Sequence, residues 1–195
     1  MSNMFSTTSL VENKKMSNLT WFGVGGCSKY YFQPSSEENL ISFLKDNQLD
    51  LPIYPLGAGS NIIIRDRGFN GIIIHFNKLK EILIDKEGII TAYSGAMDAD
   101  VARFARNHSR VGLEFLIGIP GTIGGGIKMN SGAYGSEIKK ILIDVTAINE
   151  KGIQKTFSVE DLKLDYRSNK LSEEWMFLKA RFKSNGGSRD LIQKK

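Results

Sequence analysis

Three glycine-rich stretches concentrate the chemistry this sequence could perform: Gly23-Val24-Gly25-Gly26, Gly57-Ala58-Gly59-Ser60-Asn61 and Gly118-Ile119-Pro120-Gly121-Thr122-Ile123-Gly124-Gly125-Gly126. Residues without a Cβ let backbone N–H groups come close to an anion such as a phosphate. The second stretch adds a hydroxyl from Ser60 and a carboxamide from Asn61, a donor set suited to a pyrophosphate. Two common nucleotide signatures fail on spacing. A dinucleotide fingerprint starting at Gly57 needs glycine at 62, where Ile62 stands, and the β-branched run beyond it links strand to strand instead of strand to helix. A phosphate loop counted from Gly121 reaches Gly126, but Ile127 occupies the lysine place and Lys128 comes one residue late. A tight turn is the alternative reading of any one such loop. Three in one chain weigh against it.

The other reactive side chains offer less. His75 sits in an isoleucine-rich run and reads as structural or exposed, and His108 follows a helix without a partner at ligand spacing, so neither histidine supports a metal site. Cys27 has no base beside it and reads as an inert small hydrophobe. Glu114 reads as an orienting or structural carboxylate, and Arg167, taken without context, as half of a surface ion pair.

The elements that must hold these loops follow from periodicity. Residues 1–18 are polar and weakly periodic, a frayed lead or a short helix. Lys29–Phe32 reads as a strand. Ser35-Ser36-Glu37-Glu38 has capping-box spacing before Leu40, Ile41 and Leu44 at helical intervals. β-like runs follow at Leu51–Leu56, Asn61–Ile64, Gly71–Phe76 and Ile89–Tyr93. Asp98 is placed to cap a helix carrying Val101, Ala102 and Ala105 on one face. Ile141–Ile148 reads as a long buried strand and Phe177–Lys183 as a half-buried one. Strands and occasional helices without regular βαβ alternation give an α+β class.

Composition sets the limits. In 195 residues, 41% hydrophobic and 24% charged side chains exclude a disordered, collagen-like or coiled-coil chain. The single cysteine excludes an internal disulfide framework and suits a reducing compartment. No run approaches a membrane span and the first ten residues lack a signal-peptide pattern, so no membrane insertion and a cytoplasmic location are expected. The net charge of +5 is carried entirely by residues 179–195, which leaves the rest neutral and argues against a nucleic-acid partner.

Leu56–Asn61, Gly112–Gly125, Met129–Gly135 and Asp165-Tyr166-Arg167-Ser168, with Thr20-Trp21-Phe22 and Gly25-Gly26 ahead of them, together resemble the UDP-N-acetylenolpyruvoylglucosamine reductase family, in the family's order and over residues 19–183. The resemblance implies a vanillyl-alcohol-oxidase-type FAD-binding fold of two α+β subdomains meeting near residues 78–90. It implies FAD, with Gly57, Ala58, Gly59, Ser60 and Asn61 at the pyrophosphate; non-covalent attachment is expected, because His75 and Cys27, the conventional attachment residues, lie outside the loops assigned to the ring. Gly118, Ile119, Pro120, Gly121, Thr122, Gly124 and Gly125 would pass close to the flavin, and Asn130, Gly132, Ala133 and Tyr134 would complete that wall. NADPH would supply the hydride, a UDP-sugar would receive it, and Arg167 would be catalytic, stabilising the charge that hydride addition places on the substrate. The family's pattern also departs here: Gly23 stands where a larger, commonly basic residue is frequent. The family's third, substrate-binding domain has no counterpart, so residues 184–195, with Ser188 as a cap, read as the start of a truncated linker or helix. A partial reductase, one completed by a separate chain, and a non-catalytic flavin- or nucleotide-binding remnant all stay open.

Overall fold

The computed structural model describes residues 10–187. Its first part is a four-stranded sheet around one helix: β1 (Val11–Lys15), β2 (Cys27–Phe32), α1 (Glu37–Asp46), β3 (Ile53–Leu56) and β4 (Phe69–His75), in the order β1-β2-β4-β3. β1 joins β2 antiparallel, while β2, β4 and β3 run parallel. The expected lead therefore contains a strand. Val-Glu-Asn-Lys-Lys has no apolar alternation because an edge strand needs only backbone partners and favours charge against further pairing. Ser36, one place along the expected box, caps α1 by accepting from Asn39 N.

Asn61–Ile64, expected as a strand, joins no ladder. Its β-branched side chains are only part of what a strand requires. Ile64 is buried under the outer face of the first sheet, Ile63 is 69% exposed, and the chain beyond turns at Arg65, whose carbonyl accepts from Gly26 and Gly68.

The second part comprises β5 (Ile82–Ile84), β6 (Ile90–Tyr93), α2 (Asp98–Asn107), β7 (Arg110–Val111), α3 (Ile123–Lys128), β8 (Gly132–Ala133), β9 (Ser136–Glu137), α4 (Ile138–Ile141), β10 (Leu142–Asn149), β11 (Gln154–Ser158), α5 (Val159–Leu162), β12 (Trp175–Phe182) and β13 (Asn185–Gly186). Five of these strands form an antiparallel sheet in the order β11-β10-β12-β6-β5. β13 pairs with β7, and Ser188 lies outside the described residues. Asp98 is not the cap of α2; Met97 holds that position and Asp98 is the first helical residue.

The two sheets share a core through α1. Leu40, Phe43 and Leu44 pack with Ile72 and Ile74 of β4 and with Ile148, Met176 and Leu178 of β10 and β12. The other face of the five-stranded sheet is covered by α2, α3 and α4 through Val101, Ala105, Ile123, Ile127 and Ile138. β12 is buried on both faces only at Met176–Leu178; from Lys179 to Phe182 it alternates, with Ala180 and Phe182 buried and Arg181 exposed, as expected of a half-buried strand. An irregularity opposite Thr146 and Ala147 breaks the alternation of β12, and Lys179 is satisfied by Glu37 of α1 at 2.9 Å.

Candidate functional site

A cleft of about 1290 Å³ opens between the two parts. One wall is the segment that leaves β3. Gly57, Ala58, Gly59, Ser60 and Asn61 follow directly from Leu56, so parallel pairing with β4 delivers them to the carboxyl end of the sheet. None of their five consecutive backbone N–H groups finds an acceptor among the described residues. Unbonded N–H groups in a concave loop are the physical requirement for holding an anion.

Gly59 itself is needed for folding. It sits at φ +69°, and a Cβ there would lie 2.0 Å from the Leu19 carbonyl oxygen, while the Gly59 carbonyl accepts from Trp21 N. The missing side chain makes room for neighbouring backbone, so the loop is clamped from behind.

The facing wall is the run from Gly118 to Gly125, joined to the second part by backbone bonds. Gly121 O accepts from Asp98 N, Ile123 N donates to Ala96 O, and Gly124 N donates to Ser94 O. Gly124 packs on Ser94, where a Cβ would come within 2.9 Å; at Gly125 the nearest neighbour of a Cβ would be Thr122 Oγ1 at 3.8 Å, so that glycine leaves the cleft open. Gly118, Ile119, Pro120, Gly121, Thr122, Gly124, Gly125, Asn130, Gly132, Ala133 and Arg167 all line the cleft with the first loop. Tyr134 stands apart: it is 83% exposed with its ring against Gly118, and it is not a lining residue.

The side chain of Asn130 is committed within the protein. It donates to Glu137 and to the Asp165 carbonyl, and it accepts from Lys139 N. That tie fixes the turn bearing Arg167, which is bridged from Asp165 to Ser168. Arg167 is exposed, has φ +49°, lies 5.4 Å from the centroid of the Tyr166 ring, and makes no ion pair among the described residues. The surface ion pair that its residue type suggests is absent there.

One group at the cleft, Asp98, was not singled out by sequence as a site residue. Asp98 is fully buried, neither carboxyl oxygen has a partner among the described residues, and desolvation pushes it up to about 7 from its ordinary 3.8. A signal was present: Asp98 lies three, four and seven residues before Val101, Ala102 and Ala105, on the buried face of α2. Thr122 Oγ1 is likewise buried and unpartnered, against Gly57. Behind the first loop, His75 is buried and its Nδ1 lies 2.7 Å from the Tyr31 hydroxyl; burial lowers it to about 4.

The remaining candidates stand away from the cleft. His108 is exposed at the end of α2 with Nδ1 on the Phe104 carbonyl, and Cys27 is exposed at the start of β2. Glu114 accepts from Gly112 N, an orienting role within its turn. Among the described residues no helix is long and apolar enough to cross a membrane.

Comparison with known proteins gives this geometry a family. Residues 28–158 match the FAD binding domain family. The UDP-N-acetylenolpyruvoylglucosamine reductase of Orientia tsutsugamushi (strain Boryong) is 46% identical over 160 residues, which is 80% of this chain and 53% of that protein. The reductase of Rickettsia bellii (strain RML369-C) is 43% identical over 183 residues, 93% of this chain and 61% of that protein. The chain thus spans a little over half the length of these curated relatives. Among solved structures, the UDP-N-acetylenolpyruvylglucosamine reductase of Thermus caldophilus superposes with a TM-score of 0.79 at 24% identity, covering 96% of this chain and 65% of that one. Cholesterol oxidase from B. sterolicum gives 0.69 at 12% identity, covering 95% and 39%. These likenesses carry the fold, the vanillyl-alcohol-oxidase type built of two α+β subdomains. A glycine-walled cleft between two such subdomains, with a matching sequence over two thirds of its length, places the chain in the FAD-binding domain family.

Proposed function

We propose that this chain is the FAD-holding part of a UDP-N-acetylenolpyruvoylglucosamine reductase, working in the cytoplasm with NADPH as hydride donor to form UDP-N-acetylmuramate for peptidoglycan. Residues 19–183 form the FAD-binding unit in this reading, with its halves meeting near residues 78–90. The rest of the relatives' length, joined to it or supplied by a separate chain, carries the remainder of the substrate site. The observation that carries the reading is the row of five unbonded N–H groups from Gly57 to Asn61, set across the cleft from the Gly118–Gly125 wall.

The residues present fit the cofactor. Gly57 to Asn61 would hold the pyrophosphate, with the Ser60 hydroxyl beside the backbone donors. Gly118 to Thr122, Gly124 and Gly125 would lie along the ring, and Gly125 leaves that approach open. Asn130, Gly132 and Ala133 close the wall, while Tyr134 serves from outside by packing on Gly118. A flavin held there would supply hydride-transfer chemistry between the nicotinamide and the enolpyruvyl carbon. Arg167, without an acidic partner among the described residues, presents its guanidinium at the rim, where it would bind the substrate carboxylate and stabilise charge developing beside it. The unbonded Asp98 and Thr122 mark the cleft floor as built around a polar ligand.

The test is direct. The purified chain is titrated with FAD and followed by flavin fluorescence and visible absorbance, then precipitated with acid. Saturable 1:1 binding, with all colour released on precipitation, is expected. An absence of FAD binding refutes the reading, and colour retained in the pellet refutes non-covalent attachment.

A further inference from the structure

The floor of the cleft holds a carboxyl that no described residue satisfies. Asp98 is the first residue of α2, is fully buried and lines the cleft, yet neither of its oxygens has a partner among the described residues. The large majority of buried polar groups are hydrogen-bonded, and one left alone forfeits its hydration without return. Glycine thins the wall around this carboxyl. The space that a Gly121 side chain would take is bordered by Asp98 Oδ2 at 3.1 Å and by Ser60 Oγ at 3.8 Å. The other carboxyl oxygen abuts Gly126, where a Cβ would lie 3.3 Å from Oδ1. Asp98 N donates to the Gly121 carbonyl, which holds the acid beside that glycine. Ser60 comes from the first part of the fold and Asp98 and Gly121 from the second, so the niche joins the two walls.

We propose that the niche at Gly121 is a hydroxyl subsite, in which Asp98 accepts a hydrogen bond from one hydroxyl of the bound ligand. The subsite rests on the reading of the cleft as an FAD site, and it assigns the part of the cofactor that lies there. Ser60 belongs to the loop given to the pyrophosphate, and Gly121 to the run given to the ring. In FAD the piece that joins pyrophosphate to ring is a short chain bearing hydroxyls. A hydroxyl supplies the donor that a carboxylate needs, whereas a phosphate oxygen is an acceptor and would meet a like charge. Ser60, which can accept from one neighbour and donate to another, stands at the same niche toward the pyrophosphate side. Asp98 thus complements the backbone donors of Gly57–Asn61: one set takes the anionic end of the ligand, the other its neutral chain.

The experiment measures, by fluorescence, the dissociation constants of FAD and of analogues each lacking one hydroxyl of that chain, for wild type, Asp98→Ala, Asp98→Asn and Gly121→Ala. A hydrogen bond to a charged acceptor is worth roughly tenfold or more in affinity. Wild type is therefore expected to bind one of the analogues about tenfold more weakly than FAD. Asp98→Ala lacks the acceptor and Gly121→Ala fills the niche with a methyl group, so each is expected to bind FAD and that analogue within about twofold of one another. Asp98→Asn keeps a carbonyl acceptor and is expected to retain a preference of about threefold for FAD. An aspartate that serves folding alone, or that is satisfied by water, would shift all affinities alike. The same penalty for the analogue in wild type and in Asp98→Ala therefore overturns the proposal, as does a wild type that binds every analogue as tightly as FAD. If Asp98→Ala does not fold, Gly121→Ala decides by the same comparison, and a wild-type penalty there overturns it. Failure of wild type to bind FAD is a separate outcome, which removes the cofactor reading and the subsite with it.

Discussion

Replacing Asp98 with asparagine should stabilise the ligand-free protein, and the gain should grow with pH. The carboxyl is fully buried without a hydrogen-bond partner among the described residues, and desolvation raises it to about 7 from 3.8. Because the folded state holds the proton more tightly, its contribution is fully present below pH 3.8 and is lost as pH rises through 7. The difference of about three pK units corresponds to roughly 4 kcal/mol at alkaline pH, of which about 2.5 kcal/mol accrues between pH 5 and pH 8. Asparagine does not titrate, and whatever its carboxamide costs in the same site is constant with pH. The assay is denaturant unfolding of wild type and Asp98→Asn at pH 5 and pH 8, without FAD. The variant's stability relative to wild type should rise by about 2.5 kcal/mol between the two, equivalent to roughly 5–10 °C in Tm for a chain of this size. His75 supplies an internal control of opposite sign. Its folded pKa of about 4 lies below the ordinary 6.5, so its contribution is present above 6.5 and is lost as pH falls toward 4. In wild type the two slopes oppose each other between pH 4 and 6.5, and the variant should remove the opposing aspartate slope. A relative stability that is the same at both pH values would refute the burial argument for Asp98.

Gly59→Val should cost several kcal/mol and lose FAD together with the fold of the loop, since φ +69° and the Leu19 carbonyl both exclude its side chain; calorimetry with and without FAD checks this. Gly125→Ala should leave Tm within about 2 °C, because its Cβ meets nothing closer than 3.8 Å, yet weaken FAD measurably by narrowing the cleft. Glu37→Ala should destabilise by about 1–2 kcal/mol in denaturant unfolding, because Tyr93, Gln154 and Lys179 all donate to that one partly buried carboxylate. Arg167→Lys, built into a protein of the relatives' full length, should keep FAD affinity within twofold while sugar-dependent NADPH oxidation falls at least tenfold.

What the sequence made legible was what local pattern determines. The isoleucine runs at Gly71–Phe76 and Ile141–Ile148 became strands because both pack against helices that their own apolar residues select. Asn61–Ile64 has the same composition but follows the Gly57–Ser60 turn and joins no ladder, and no local rule records a missing strand partner. β1 was illegible for the converse reason: its polar side chains say nothing of the backbone bonds it makes to β2. The glycine loops were readable as a group that meets at one place, but their individual duties were not. Gly59 and Gly124 yield space to Leu19 and Ser94 from distant segments, and only coordinates bring those together. Asp98 was written into the sequence by helical spacing, and its acidic neighbourhood with Asp100 hid it.

The two walls of the cleft cannot drift apart cheaply. The Gly57–Asn61 wall belongs to the four-stranded sheet, and the Gly118–Gly125 wall is bonded to Ser94, Ala96 and Asp98 of the other part. Two sheets joined only by a linker would have to be brought together at each binding event, at the expense of ordering free energy. Here α1 places Leu40, Phe43 and Leu44 against both sheets at once, and removing one such buried leucine side chain typically costs 2–5 kcal/mol. Separating the walls would expose that whole layer and break the bonds to Glu37 from Tyr93, Gln154 and Lys179. The core that looks remote from the chemistry therefore sets the distance across which the two glycine loops face each other. Its rigidity is what lets five backbone N–H groups stand unbonded in place before any ligand arrives.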